Sequence, residues 1–223
     1  MPLRPRISAV LFDLDGTLID SAPDLAGAAN DQRALRGLEP LPLAALRPMC
    51  GSGARGMLGV AFDARPGAPG YEKLREEFLA LYERRMLLKT KVFDAVRPLL
   101  DELEARALPW GIVTNKAMNM ALPIAQGLGL HSRAAVIISG DSTPHTKPHP
   151  EPLLAAARAL GISASDCVYV GDDARDVQAG RAAGMATLAA AWGYLGVAQP
   201  VHLWGADAVL TSPHELLHWL DIA

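Results

Sequence analysis

Cysteine is nearly absent from this chain: Cys50 and Cys167 are the only two in 223 residues. Two such residues build neither a disulfide framework nor a Cys/His metal spacing. Cys167 opens an apolar run and reads as a small core residue. Sparse cysteine fits a reducing compartment, so the expected location is cytoplasmic. Long hydrophobic runs are also missing, and no stretch approaches the ~20 apolar residues of a membrane span. An excess of basic charge is missing too. Lys and Arg number 21 against 24 Asp and Glu, with a net charge of −3 and the signs interspersed. Nucleic acid is therefore not an expected partner. The start, Met1-Pro2-Leu3-Arg4-Pro5-Arg6, is basic, but the apolar run after it meets Asp13 too soon for a secretory signal. No repeats or low-complexity tracts occur. At 50% hydrophobic residues, the chain can bury a full core, as one large domain or one domain with an insertion.

Most of the chain alternates between short apolar strands and Ala- or Leu-rich helices. Candidate strands are Ile7–Phe12, 110–114, 135–139, 167–171, 185–190 and 207–210. This alternation predicts an α/β fold with a doubly wound, mostly parallel sheet, Rossmann-like in its core. One interval breaks the rhythm. Residues from about 22 to 87 carry only helical patterns: Ala22–Arg36, a glycine-rich turn over Gly51–Met57 leading into a short helix, and Tyr71–Leu87. A helical insertion at 19–90 in a core made of 1–18 and 91–223 is expected.

The densest chemistry follows the first strand, in Asp13-Leu14-Asp15-Gly16-Thr17-Leu18. Two carboxylates two residues apart leave the carboxyl end of a buried strand, where open α/β sheets bind ligands. Like charges so close stay ionised together only beside a cation or a shared proton. The string through Asp20 resembles the first motif of the haloacid dehalogenase-like hydrolase superfamily, D-x-D-G-[TV]-L-x-[DE]. That resemblance asks for three later features, and all three occur in order. Thr114 ends the strand Trp110–Thr114 and is followed by Asn115. Lys147 sits in Thr146-Lys147-Pro148-His149-Pro150-Glu151-Pro152, where prolines stiffen the loop. Gly171-Asp172-Asp173-Ala174-Arg175-Asp176 delivers three acids after another strand. The second half of the lysine loop departs from many relatives in having His149 between its prolines rather than Asp.

The resemblance implies a phosphatase acting through an aspartyl phosphate. Asp13 and Asp15 would be catalytic, as nucleophile and as general acid/base. Thr114, Asn115 and Lys147 would bind phosphate. A metal would be held by Asp13, Asp172 and the backbone carbonyl of Asp15, with Asp173 and Asp176 orienting Lys147 or metal-bound waters. A donor set of oxygen alone points to Mg²⁺ rather than zinc. The helical insertion corresponds to the superfamily's cap, tethered near 18–22 and 88–93, which would exclude water and read the leaving group. Ser52, Gly53 and Arg55 are the expected specificity residues, Arg55 as partner to a carboxylate or hydroxyls.

Within the superfamily the chain is most similar to the phosphoglycolate phosphatase group. Ser52-Gly53-Ala54-Arg55, the Gly171–Asp176 run and Trp204-Gly205-Ala206-Asp207 also resemble the N-acetylmuramic acid 6-phosphate phosphatases. The expected partner is a small phosphate ester, and the expected assembly a monomer or homodimer. A metal-free dehalogenase is disfavoured by Asp15, and a P-type ATPase by the lack of membrane spans. A β-phosphoglucomutase-like mutase or an inactive binding module remain as alternatives.

Overall fold

The computed structural model describes residues 7–222; the basic start Met1–Arg6 lies outside them. The chain opens with β1 (Ala9–Phe12), a two-residue strand β2 (Ile19–Asp20), and then four helices: α1 (Ala22–Ala34), α2 (Leu43–Leu46), α3 (Gly53–Phe62) and α4 (Tyr71–Glu83). It returns through β3 (Lys91–Val92) to α5 (Val96–Ala105), β4 (Trp110–Val113), α6 (Met118–Gly127), β5 (Val136–Ile138) and α7 (Glu151–Leu160). Last come β6 (Cys167–Gly171), α8 (Ala174–Ala182), β7 (Ala186–Ala190), β8 (Ala208–Leu210) and α9 (Glu215–Trp219).

Six strands form one sheet in the order β5-β4-β1-β6-β7-β8, and every pairing in it is parallel. The expected mostly parallel, doubly wound sheet is what the chain forms. The apolar runs are continuous because both sheet faces are covered. Val10 and Phe12 face the larger core with helices α5, α6 and α9, while Ala9 and Leu11 pack with α7 and α8 on the other side. From β1 the chain winds outward to β4 and β5, then crosses back to β6 on the other flank of β1. The reversal opens a crevice at the carboxyl ends of β1 and β6, the place where such sheets bind ligands.

The helical interval lies between β2 and β3, which pair antiparallel as Ile19↔Val92 and Asp20↔Lys91. Within it α1 packs on α3 and α4. Two details differ from the sequence-based reading. The Gly51–Met57 stretch is not a loose turn: a 3₁₀ helix spans Arg47–Ser52 and α3 starts at Gly53. Gly56 is needed for packing, since a Cβ there would lie 2.3 Å from the Met49 carbonyl oxygen. The helix expected over Tyr71–Leu87 ends at Glu83 and continues as turns. None of the described helices is long and apolar enough to cross a membrane.

Both crossings between the helical block and the sheet are tied by one buried carboxylate. Asp24 Oδ2 accepts from Lys89 N, Thr90 N and Thr90 Oγ1, each at 2.8 Å, and Asp24 is fully buried. An orphaned buried donor costs about 1–3 kcal/mol. Asp24→Ala leaves two backbone N–H groups without their acceptor, so it should lower unfolding stability by roughly 2–5 kcal/mol. Chemical denaturation checks this, and a loss under about 1 kcal/mol would remove Asp24 as the tie.

Candidate active site

The geometry starts from the turn after β1. Gly16 has φ +87°, and a Cβ on it would lie 2.1 Å from Asp172 Oδ2. A side chain is excluded twice there, by backbone conformation and by space. The glycine thus lets the loop after β6 close onto the loop after β1. Asp172, at the end of β6, is held from both sides: Thr17 Oγ1 donates to its Oδ1 at 3.1 Å and Tyr194 N to its Oδ2 at 2.7 Å. Carboxylate oxygens of Asp13, Asp172 and Asp176 all come within 4.8 Å of one another.

One buried cation faces this cluster. Lys147 is 4% exposed, with its Nζ 2.8 Å from Asp13 Oδ1 and 2.8 Å from Asp176 Oδ1. The ammonium also donates to Val113 O at 2.9 Å and Tyr169 Oη at 2.7 Å. Burial works against its charge, but Asp13 and Asp176 outweigh burial and raise its pKa. Asp13 is affected most by burial, which carries its pKa up to about 6 against the pull of Lys147. Burial, followed by the charges of Asp13 and Asp176, pushes Asp172 well above the carboxylate range. The cluster is short of positive charge.

A divalent ion with oxygen preference fits that deficit. Asp13 and Asp172 present carboxylates to one point, no thiol or imidazole competes, and a hard cation would favour ionising both acids. Asp176 belongs to the same cluster but is already committed. Its Oδ2 accepts from Asp173 N at 3.0 Å, closing a capping box at the start of α8. Asp173, grouped with it in the sequence reading, points elsewhere: it pairs with Arg175 at 2.7 Å, and Arg175 donates in turn to Gly51 O at 2.7 Å. That second bond joins the sheet side of the crevice to the helical block.

The residues after β4 divide their tasks. Thr114 is buried, lines the same cavity as Asp13, and accepts from Lys116 N at 3.2 Å. The Asn115 amide is engaged by the lysine loop: its Oδ1 accepts from Lys147 N and its Nδ2 donates to Lys147 O, both at 2.9 Å. It fixes Lys147 while also lining the cavity. His149 is exposed, stacks on His145 and accepts from Glu151 N at 3.2 Å. Asp15 is turned away from the carboxylate cluster. It accepts from Ser21 Oγ and pairs with Lys116 at 3.0 Å.

Above these groups a cavity of about 490 Å³ opens between the sheet and the helical block. Ser52, Gly53 and Arg55 line it, as expected, and Arg55 is exposed. Tyr71, Phe78, Leu79 and Tyr82 of α4 give it an apolar wall, and Arg75 joins the lining. Lys116, Tyr169, Arg175 and Arg75 were missed in the sequence. Lys116 alone left a signal, as the cation directly after Thr114-Asn115.

Comparison with known proteins agrees with this geometry. A model of the haloacid dehalogenase-like hydrolase family matches residues 7–184. The chain is 49% identical over 209 residues to a phosphoglycolate phosphatase of Xanthomonas campestris pv. campestris, covering 93% of this chain and 94% of that one. It is 42% identical over 221 residues to an N-acetylmuramic acid 6-phosphate phosphatase of Pseudomonas aeruginosa, covering 99% and 97%. In structure it resembles a protein of Haemophilus somnus described as a predicted phosphoglycolate phosphatase, with TM-score 0.84, 24% identity and coverage of 96% and 98%. That last likeness speaks to the fold. The chain belongs to the haloacid dehalogenase-like hydrolase family.

Proposed function

We propose that the protein is a phosphomonoesterase that passes the phosphoryl group through Asp13, with phosphoglycolate as the first candidate substrate. The observation that carries this is the convergence of Asp13, Asp172, Asp176 and the buried Lys147 beneath a cavity roofed by helices. Phosphoryl transfer needs little beyond positioning and compensation of charge, and those are what this arrangement supplies.

In the first step an oxygen of Asp13 attacks phosphorus while the bond from phosphorus to the leaving oxygen breaks. Asp15 passes a proton to that oxygen as general acid. In the second step water attacks the aspartyl phosphate, Asp15 accepts the water proton, and phosphate and the free Asp13 carboxylate are restored. Lys147 and the Thr114 hydroxyl offset charge on the non-bridging oxygens. Asp13, Asp172 and the Asp15 carbonyl would hold Mg²⁺, which when bound offsets the repulsion between Asp13 and the phosphate. The helical block, swinging on β2 and β3, acts as the cap that excludes water. Two buried free cysteines suit a cytoplasmic enzyme.

Phosphoglycolate is favoured by the 49% identical relative that carries that name. A second reading, N-acetylmuramic acid 6-phosphate, rests on the cavity. A volume of about 490 Å³ walled by Tyr71, Phe78 and Leu79 exceeds what a two-carbon acid fills and suits a sugar ring with acyl groups. Both esters carry a carboxylate, for which Arg55 and Arg75 line the cavity.

Asp13→Asn keeps size and removes the attacking charge. Turnover of p-nitrophenyl phosphate should fall by several orders of magnitude with the circular-dichroism spectrum unchanged, and retention of more than a few per cent would end the covalent route. Activity should vanish in excess chelator and return with Mg²⁺. Ca²⁺ should not replace it, because it takes more oxygen ligands and would compete for both oxygens of the Asp13 carboxylate. The substrate question is settled by kcat/KM for the two esters side by side. A ratio within about tenfold, or 1.4 kcal/mol, would mean that neither is selected. Arg55→Ala without effect on the better ester would take that arginine out of recognition.

A further inference from the structure

Lys116 has no part in the scheme above, yet it is placed as if it did. Its side chain is 9% exposed and lies against both oxygens of Asp15, at 3.0 and 3.2 Å. Among the described residues this is the one ion pair that Asp15 makes. The same ammonium sits 4.7 Å from the centre of the Tyr82 ring, on helix α4 of the roof. Its backbone is anchored on the sheet side: Lys116 N donates to Thr114 Oγ1 at 3.2 Å, and Lys116 O accepts from Gly140 N at 2.8 Å. Asp15, Lys116 and Tyr82 all line the cavity.

A buried ion pair is poor evidence of a stabilising role, because desolvation offsets most of its attraction. This pair is also on a cavity wall, not within the packed core, and one partner is the acid that must meet the leaving oxygen. A long ammonium bridging both oxygens limits rotation of the carboxylate, while the cation–π contact ties the ammonium to α4. We infer that Lys116 is a positioning residue for proton transfer, holding the Asp15 carboxylate at the cavity wall and linking that placement to the seating of the helical roof through Tyr82. The inference rests on the phosphatase reading, in which Asp15 delivers and retrieves the proton.

Leaving groups separate this role from a structural one. An alkyl phosphate needs a proton on its departing oxygen, whereas p-nitrophenolate departs without one. The comparison uses kcat/KM, which reports bond cleavage to the leaving group and is blind to the later hydrolysis of the aspartyl phosphate. For Lys116→Met, the loss of kcat/KM on an alkyl phosphate should exceed the loss on p-nitrophenyl phosphate by about 10- to 100-fold, the usual weight of a residue acting through another. Lys116→Arg, which keeps the charge, should recover part of the difference. In an Asp15→Asn background Lys116→Met should add almost nothing, since the two act as a unit.

Equal losses on both esters, or losses that multiply in the double variant, would overturn the inference. The first outcome would mark a structural residue, the second a direct contact with substrate. A crystal structure of Lys116→Met gives a readout independent of turnover. Asp15 should leave its present direction, and an unmoved Asp15 carboxylate would also overturn the inference. If the wild-type protein with Mg²⁺ cleaves neither ester, the phosphatase reading fails, and that outcome is distinct from a wild type that is active and a variant that shows no difference between esters.

Discussion

Everything at the site depends on keeping one ammonium charged where water hardly reaches. Lys147 is 4% exposed, and a cation so buried persists only with counter-charges and hydrogen-bond acceptors arranged around it. Asp13, Asp176, the Tyr169 hydroxyl and the Val113 carbonyl supply them. Asp13 follows β1, Val113 ends β4, Tyr169 lies in the middle of β6 and Asp176 in the first turn of α8, so the sheet order β4-β1-β6 is a condition of the charge balance. Asn115 completes the constraint by holding the Lys147 backbone at two points. Removal of any of these would loosen the cation.

The balance is incomplete by design of the residue set. One lysine faces Asp13, Asp172 and Asp176, and burial carries Asp13 up to a pKa of about 6 and pushes Asp172 well above the carboxylate range. Asp176 is the acid most closely tied to the lysine and the helix start, its Oδ1 lying 2.8 Å from Lys147 Nζ and its Oδ2 accepting from Asp173 N. The remaining need for positive charge falls on Asp13 and Asp172, which is why a hard divalent cation suits the place, and in the proposed mechanism the nucleophile would also be a metal ligand. Nucleophile attack on an anionic ester would otherwise bring more negative charge to a site already lacking compensation.

Much of this was legible in the chain, for reasons that can be named. Strands such as β1 and β6 announce themselves because helices cover both sheet faces, so that Ala9 and Leu11 are as apolar as Val10 and Phe12. The acids and Lys147 follow from local strings. What could not be read is what partners distant residues choose. Lys116 finds Asp15 across 101 positions, and Arg175 finds Gly51 across 124. Asp173 and Asp176 are three residues apart on one motif, yet one pairs with Arg175 and the other with Lys147. Helix capping made that choice, since a residue at the cap position must aim its side chain along the first turn. The two bonds from Asn115 to the Lys147 backbone were hidden likewise: a strand-end amide carries no mark of the loop it will hold.

The division between sheet and roof sets how selectivity can arise. In the proposed mechanism the groups at the ends of β1, β4 and β6 would meet the phosphoryl group and the leaving oxygen, which every ester shares. The roof supplies the remaining walls, including Arg55, Arg75 and the face of α4. Two contacts cross this seam beside the reacting atoms, Arg175 to Gly51 and Lys116 to Tyr82. If the roof must be seated for Lys116 to hold Asp15, a leaving group that fits the roof also places the acid that protonates it. Recognition would then enter through the rate of bond cleavage and not through affinity alone. That is the form of selectivity in which binding energy from a remote group is expressed in the transition state.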